Sequence, residues 1–229
     1  MKIPRRDALK TRENLLAAAS IIFAEKGYRD TTIFEICNQA NSNIAAINYH
    51  FGNKETLYKE TWRHSFSESI KTYPPDGGIS DSRPPDERLR GSVNALLHRI
   101  ADENNKEFLI VQKELANPTG LLEEVMREEL QPLHDIMESL VRELLGSQAS
   151  DMHVRFCTIS IISQCINPIV AAKAQKKKWD DKGALVEIKD IEAYSNHVVK
   201  FSLAGINSIR KELEKKQQKR ANTVKRCDL

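Results

Sequence analysis

Cysteine is scarce in this sequence. The four present, Cys37, Cys157, Cys165 and Cys227 in 229 residues, are spaced too widely to staple a small scaffold. A reduced compartment, the cytoplasm, is expected. Glycine and proline together number only 17, and few windows alternate apolar and polar residues as a half-buried strand would. No run of about 18 uncharged apolar residues occurs, so no membrane partner is expected. The basic opening MKIPRRDALKTREN has no apolar stretch of the kind a secretory signal needs. A Gly-rich phosphate loop, an HExxH pair and a nucleophile elbow are missing as well, and no acid–base pair can be placed. Catalysis is therefore not expected, no catalytic residue is nominated, and neither a cofactor nor a metal site is assigned.

What is present suits a soluble globular chain of one or two domains: 40% hydrophobic and 29% charged residues. The net charge of +3 conceals unlike parts. Residues 1–71 carry 11 Lys and Arg against 8 Asp and Glu; residues 72–206 carry 16 against 21; residues 207–229 carry 8 against 3. An acidic middle lies between two basic ends. Charged tails are common, and this asymmetry alone does not establish nucleic-acid binding.

A period of three to four residues dominates and predicts an all-α fold. Leu15, Leu16, Ala19, Ile22 and Phe23 form one stripe between Ala8 and Lys26, with Gly27 as a stop. Leu89, Val93, Leu96, Leu97 and Ile100 form another. Phe108, Val111, Gln112 and Leu115 mark a shorter helix. A long one is expected from about Thr119 to Leu145, kinked at Pro132. Residues 152–170 are apolar on nearly every face, and residues 188–213 carry two stripes, Ile191/Tyr194/Val198/Phe201 and Val199/Leu203/Ile206/Ile209. Such helices need more than one surface to bury against, so a homodimer through the last two helices is expected, with a single thick core as the alternative. TYPPDGGISDSRPPD, holding four prolines and two adjacent glycines, reads as a loop or linker at 71–86. It separates an N-terminal domain, 1–70, from a helical body, 87–229, that ends in a basic tail.

Between Gly27 and Tyr58 the pattern becomes specific. Thr32-x-x-Glu35 is a capping box, and Ile33, Ile36, Cys37 and Ala40 face inward behind it. Asn41-Ser42-Asn43 breaks the helix, with Ser42 or Asn43 able to cap the next one. A short helix, Ile44–Tyr49, ends before Phe51-Gly52. Asn53 caps a fourth helix bearing Tyr58, Trp62 and Phe66. Two helices joined by so short a turn make a helix-turn-helix, whose second helix enters the DNA major groove. Ala45 and Ala46 are small enough to let the backbone approach base edges and touch thymine methyls, and Asn43 and Asn48 carry amides that pair with bases. Tyr49, His50 and Lys54 can reach flanking phosphates, and Arg5, Arg6, Lys10 and Arg12 can follow the backbone or the minor groove.

These residues carry a family resemblance. Gly27 followed by Thr32, Ile36 and Ala40, then Ile47-x-Tyr49-His50-Phe51-Gly52-x-Lys54-Glu55-x-Leu57-Tyr58, resembles the TetR family of bacterial transcriptional regulators over about residues 8–68. The resemblance implies that Thr32 caps a helix against a phosphate, that Tyr49, His50 and Lys54 bind the backbone, and that Asn43–Asn48 is the base-reading stretch. Asn41 stands where the family usually has a glycine, Cys37 where it has alanine and Asn48 where tyrosine is frequent, so the operator sequence is not implied. Residues 85–229 resemble the family's effector-binding and dimerisation domain. Glu114-Leu-Ala-Asn-Pro-Thr119 with Leu130-Gln-Pro-Leu133 is similar to the CerR-type C-terminal domain of one branch.

The resemblance implies a homodimer on double-stranded DNA at a palindromic operator, most simply a repressor released by a small-molecule effector. His98, Gln112, Gln164 and Asn167, polar residues among apolar positions, are the candidate effector contacts. An effector-independent regulator or nucleoid-associated protein remains the competing class, and a small-molecule enzyme a remote one. The roles of Cys157, Cys165 and the basic tail stay open.

Overall fold

A computed structural model describes residues 6–176 and 188–227, with side chains over 7–172 and 188–219. Among these residues every regular element is helical, in the order α1 (Arg6–Asp30), α2 (Ile33–Gln39), α3 (Ile44–Phe51), α4 (Lys54–Thr72), α5 (Pro85–Ala101), α6 (Lys106–Ala116), α7 (Glu123–Leu145), α8 (Asp151–Lys176) and α9 (Ile191–Cys227). The all-α expectation holds. Most of the basic segment after Lys176 lies outside the described residues.

The chain forms two compact units that do not follow chain order. The first holds residues 1–72 with 102–131, the second 73–101 with 132–229. In the first, α1 buries Leu15, Leu16, Ala19 and Phe23 and packs on α2, α3, α4 and α6. Gly27 interrupts α1 at φ 80° and ψ −179°, a left-handed φ that costs glycine little. The spacing thus placed the stop correctly, although helical turns resume to Asp30. Tyr58, Trp62 and Phe66 of α4 are buried as their spacing implied. Residues 102–131 join this unit because α6 lies against α1 and α4; apolar periodicity marks a helix but not the surface it will meet. The long helix starts at Glu123 rather than Thr119, whose amide and hydroxyl both donate to Glu114. It passes from one unit to the other between Gln131 and Pro132.

In the second unit, α5, α8 and α9 pack on one another. Within the segment read as a loop or linker, residues 73–84 form a folded loop of this unit. Gly77 N–H donates to Pro74 O at 2.8 Å, and Ile79 N–H to Asp76 O at 3.1 Å. Asp76 Oδ1 accepts from Gly78 N–H at 2.8 Å. The loop lies so close on α5 that a Cβ at Gly91 would stand 2.6 Å from Asp76 O and from Ile79 Cγ1.

The α8 face made by Val154, Cys157, Thr158, Ile161, Cys165 and Ile169 is buried, while Met152, Phe156 and Ile159 are exposed. The two stripes read on α9 merge into one buried face, Ser195, Val198, Val199, Ser202 and Ile206, leaving Phe201 63% exposed. Two small serines let this face approach its neighbours, which an apolar count overlooks. Residues 151–172 are, by length and mean hydropathy of 1.4, long and apolar enough to cross a membrane. The sequence reading excluded such a segment. The same composition serves a helix packed in a bundle, and α8 packs against α5 and α9.

Candidate nucleic-acid interface

The head is built from its caps upward. At α2, Thr32 Oγ1 accepts from Glu35 N–H at 3.2 Å, and Glu35 Oε2 accepts from Thr32 N–H at 2.9 Å, completing the expected capping box. Lys26 pairs with the same carboxylate. That ion pair first, then the Thr32 amide and hydroxyl, hold the Glu35 carboxyl down to about 2. The turn passes through Asn41 at φ 47°. Asparagine is among the few non-glycine residues that tolerate the left-handed region, which explains how the chain turns without the usual glycine. Asn43, not Ser42, caps α3, its Oδ1 accepting from Ala46 N–H at 2.9 Å. Asn53 Oδ1 accepts from Thr56 N–H at 2.8 Å and starts α4.

These caps fix which face α3 presents. Ile47 and Phe51 are buried; Asn43, Ala45 and Asn48 are exposed and Ala46 is half-buried. Tyr49 is 79% exposed. His50 is half-buried with its ring edge-on to Tyr49 at 4.9 Å; burial chiefly, and the Arg12 charge, lower its affinity for a proton. Lys54 lies with its ammonium 4.4 Å from the centre of the Tyr28 ring. Burial pulls its pKa down, partly offset by Asp30 and Glu35. Thr32, at the N-terminus of α2, is exposed.

The eight nominated residues of the head thus share one structural unit. Asn43 spends its carbonyl oxygen on the helix cap, so only its Nδ2 remains for a base. Arg12, a candidate for the DNA backbone or the minor groove, donates to Glu60 at 2.9 Å and covers the Phe51 ring at 5.3 Å. Lys10 is exposed, and Arg5 and the Arg6 side chain lie outside the described residues. Sequence reasoning passed over Ile44, which is 51% exposed on the first turn of α3 and adds apolar surface beside Ala45. An isoleucine at a helix start reads as core until the tertiary structure leaves it bare. An open cleft of about 310 Å³ lies beside this motif, lined by Asn14, Ala17, Ala18, Ile21, Gln39, Ala40 and Asn41.

The effector candidates do not share one unit. Gln112 belongs to the first, and His98, Gln164 and Asn167 to the second. His98 Nε2 stands 3.8 Å from Glu192, Gln164 donates to Ser160 O within its own helix, and Asn167 is exposed.

An exposed, capped reading helix with apolar and amide side chains, flanked by cationic and phenolic groups, is what a DNA-reading head requires. Comparison with known proteins decides the family. Residues 15–61 match the model for bacterial regulatory proteins of the tetR family. Residues 85–206 match that for the C-terminal domain of the HTH-type transcriptional dual regulator CecR. The chain belongs to the TetR family. Its C-terminal domain, likened above to a CerR type, matches the CecR type. The family member is 28% identical to the dual regulator CecR of Shigella flexneri over 167 residues, 69% of this chain and 74% of that protein. It is 31% identical over 162 residues to the "Probable acrEF/envCD operon repressor" of Escherichia coli K12, covering 67% and 72% of the two chains. Its fold is similar to that of a TetR-family regulator from Mesorhizobium loti, with a TM-score of 0.67 at 19% identity over 88% of this chain and 98% of that one. It is also similar to FadR of Bacillus subtilis in complex with stearoyl-CoA, with a TM-score of 0.64 at 19% identity over 84% and 98%. This TetR-family member is accordingly a DNA-binding transcriptional regulator.

Proposed function

We propose that this regulator works as a homodimeric repressor, paired through α8 and α9, that reads a palindromic operator with α3 and lets go when a small molecule binds the helical body. The observation that carries the dimer is the outward apolar face, Met152, Phe156, Ile159 and Phe201. Uncovered side chains of this size on two neighbouring helices favour a self-complementary contact. For DNA, Asn43 Nδ2, Ala45, Ala46 and Asn48 read bases, and Thr32, Tyr49, His50 and Lys54 hold phosphates. Within the body, the half-buried His98 and Gln164 are the effector contacts. The acyl-CoA bound by the B. subtilis FadR neighbour makes acyl thioesters the first class to try.

The test is footprinting of the DNA upstream of the regulator's own gene, with and without stearoyl-CoA and a panel of other small molecules. The proposal expects two protected half-sites about one helical turn apart, or a multiple of that, erased by at least one compound. Protection of a single half-site, together with sedimentation as a 26.1 kDa monomer, overturns the dimer. Protection that no compound disturbs favours an effector-independent regulator.

A further inference from the structure

The first unit contains an aromatic chain that the helix-turn-helix motif does not require. The Tyr28 and Tyr58 rings are tilted at 5.1 Å, and Phe23 lies edge-on to Tyr58 at 4.7 Å. At one end the Lys54 ammonium rests 4.4 Å from the Tyr28 ring centre. At the other end the fully buried Tyr58 donates its hydroxyl to Glu114 Oε2 at 3.0 Å. Glu114 is itself fixed, because its Oε1 accepts from Thr119 N–H and Thr119 Oγ1, each at 2.7 Å, and from Gly120 N–H at 2.9 Å. Beside them Gly27 packs so close that a Cβ there would meet Lys113 Cβ at 3.3 Å.

A lysine side chain has four rotatable bonds, and ordering it costs on the order of 2 kcal/mol. A lysine already ordered over an aromatic face meets a phosphate with part of that cost removed beforehand. Tyr28 holds the ammonium on its ring face, and the ring cannot swing away because Tyr58, tied to Glu114, packs against it.

We propose that Tyr28 is a positioning residue for DNA binding, its ring ordering Lys54 for a backbone phosphate, with the stack anchored from outside the motif by Glu114. This rests on the reading of Lys54 as a phosphate contact.

The test is a double-mutant cycle on the full-length protein with a fluorescein-labelled duplex of arbitrary sequence, titrated across a potassium chloride series. Lys54→Ala is expected to weaken binding and lower the salt slope by about 0.9, one phosphate contact. Tyr28→Leu is expected to weaken binding roughly two- to five-fold and to lower the slope in the same direction. Tyr28→Phe, which keeps the ring, restores affinity. In the Lys54→Ala background Tyr28→Leu adds no further loss. If the two losses multiply, or if Tyr28→Leu binds more tightly than wild type, the positioning role is overturned while the phosphate contact stands. If Lys54→Ala alone changes nothing, the phosphate reading falls and the positioning role with it. A general loss of folding by Tyr28→Leu would persist in the Lys54→Ala background and so reads as overturning.

Discussion

Asn43 caps α3 and, in the proposed reading, also meets DNA, two roles that substitution can separate. Its Oδ1 accepts from Ala46 N–H at 2.9 Å and caps α3, a helix of only eight residues, while the residue is exposed and its Nδ2 is the proposed base contact. Asn43→Ala removes the cap and is expected to cost about 1 kcal/mol of stability. Asn43→Ser restores a hydroxyl acceptor, keeping stability within about 0.5 kcal/mol, but deletes the amide donor. It should change which base is preferred at one operator position, by about 1–3 kcal/mol. Asn43→Asp keeps the cap and adds about 0.3–1 kcal/mol through the helix dipole. Its new charge faces phosphates. At ~7 Å the repulsion is about 0.6 kcal/mol with the dielectric of water and about 2.4 kcal/mol at an effective value of 20. The aspartate variant should therefore be at least as stable as wild type yet bind every duplex about three- to fifty-fold more weakly, most clearly at low salt. Urea unfolding followed by circular dichroism and fluorescence anisotropy with labelled DNA measure the two effects on one preparation. An aspartate variant that binds DNA like wild type would refute the placement of Asn43 at the interface. An alanine variant of unchanged stability would refute the cap.

Three further outcomes follow from the geometry. Gly77→Ala combines a left-handed φ of 61° with a Cβ that would stand 2.4 Å from Gly91 O; the expected loss is about 3 kcal/mol from strain and overpacking, and a urea midpoint equal to wild type would show the loop undocked. The Glu35 carboxyl is held at about 2 in the folded head, below its unfolded value, so its contribution is full above about pH 4.3 and is lost as pH falls toward 2. Glu35→Gln should flatten the stability profile in that window and leave it parallel to wild type elsewhere. Burial raises the thiol pKa of Cys37 and Cys157 and pushes that of Cys165 up to about 12, so all three should resist a thiol reagent in the native state and react once unfolded; rapid native labelling at Cys157 or Cys165, located by peptide mass spectrometry, would refute their inertness.

The helices, their caps and the family were legible in the sequence because each depends on neighbours close along the chain. A helix needs only its own period, the capping box only Thr32 and Glu35, and the stop after Lys26 only a residue at ease with positive φ. The exposed face of α3 was legible almost as far, since the short helix has one side to bury and one to show. Partner choice was not. Periodicity announces that α6 has an apolar face but not that it covers α1 and α4. Composition marks residues 73–84 as loop but not that glycine contact seats them on α5. The pairing of Arg12 turned on Glu60, 48 positions away, and the setting of Lys54 on a tyrosine from another helix. The local code determined what each segment is. Only the tertiary structure decided what each segment touches, because long-range packing selects among surfaces that local sequence leaves equally good.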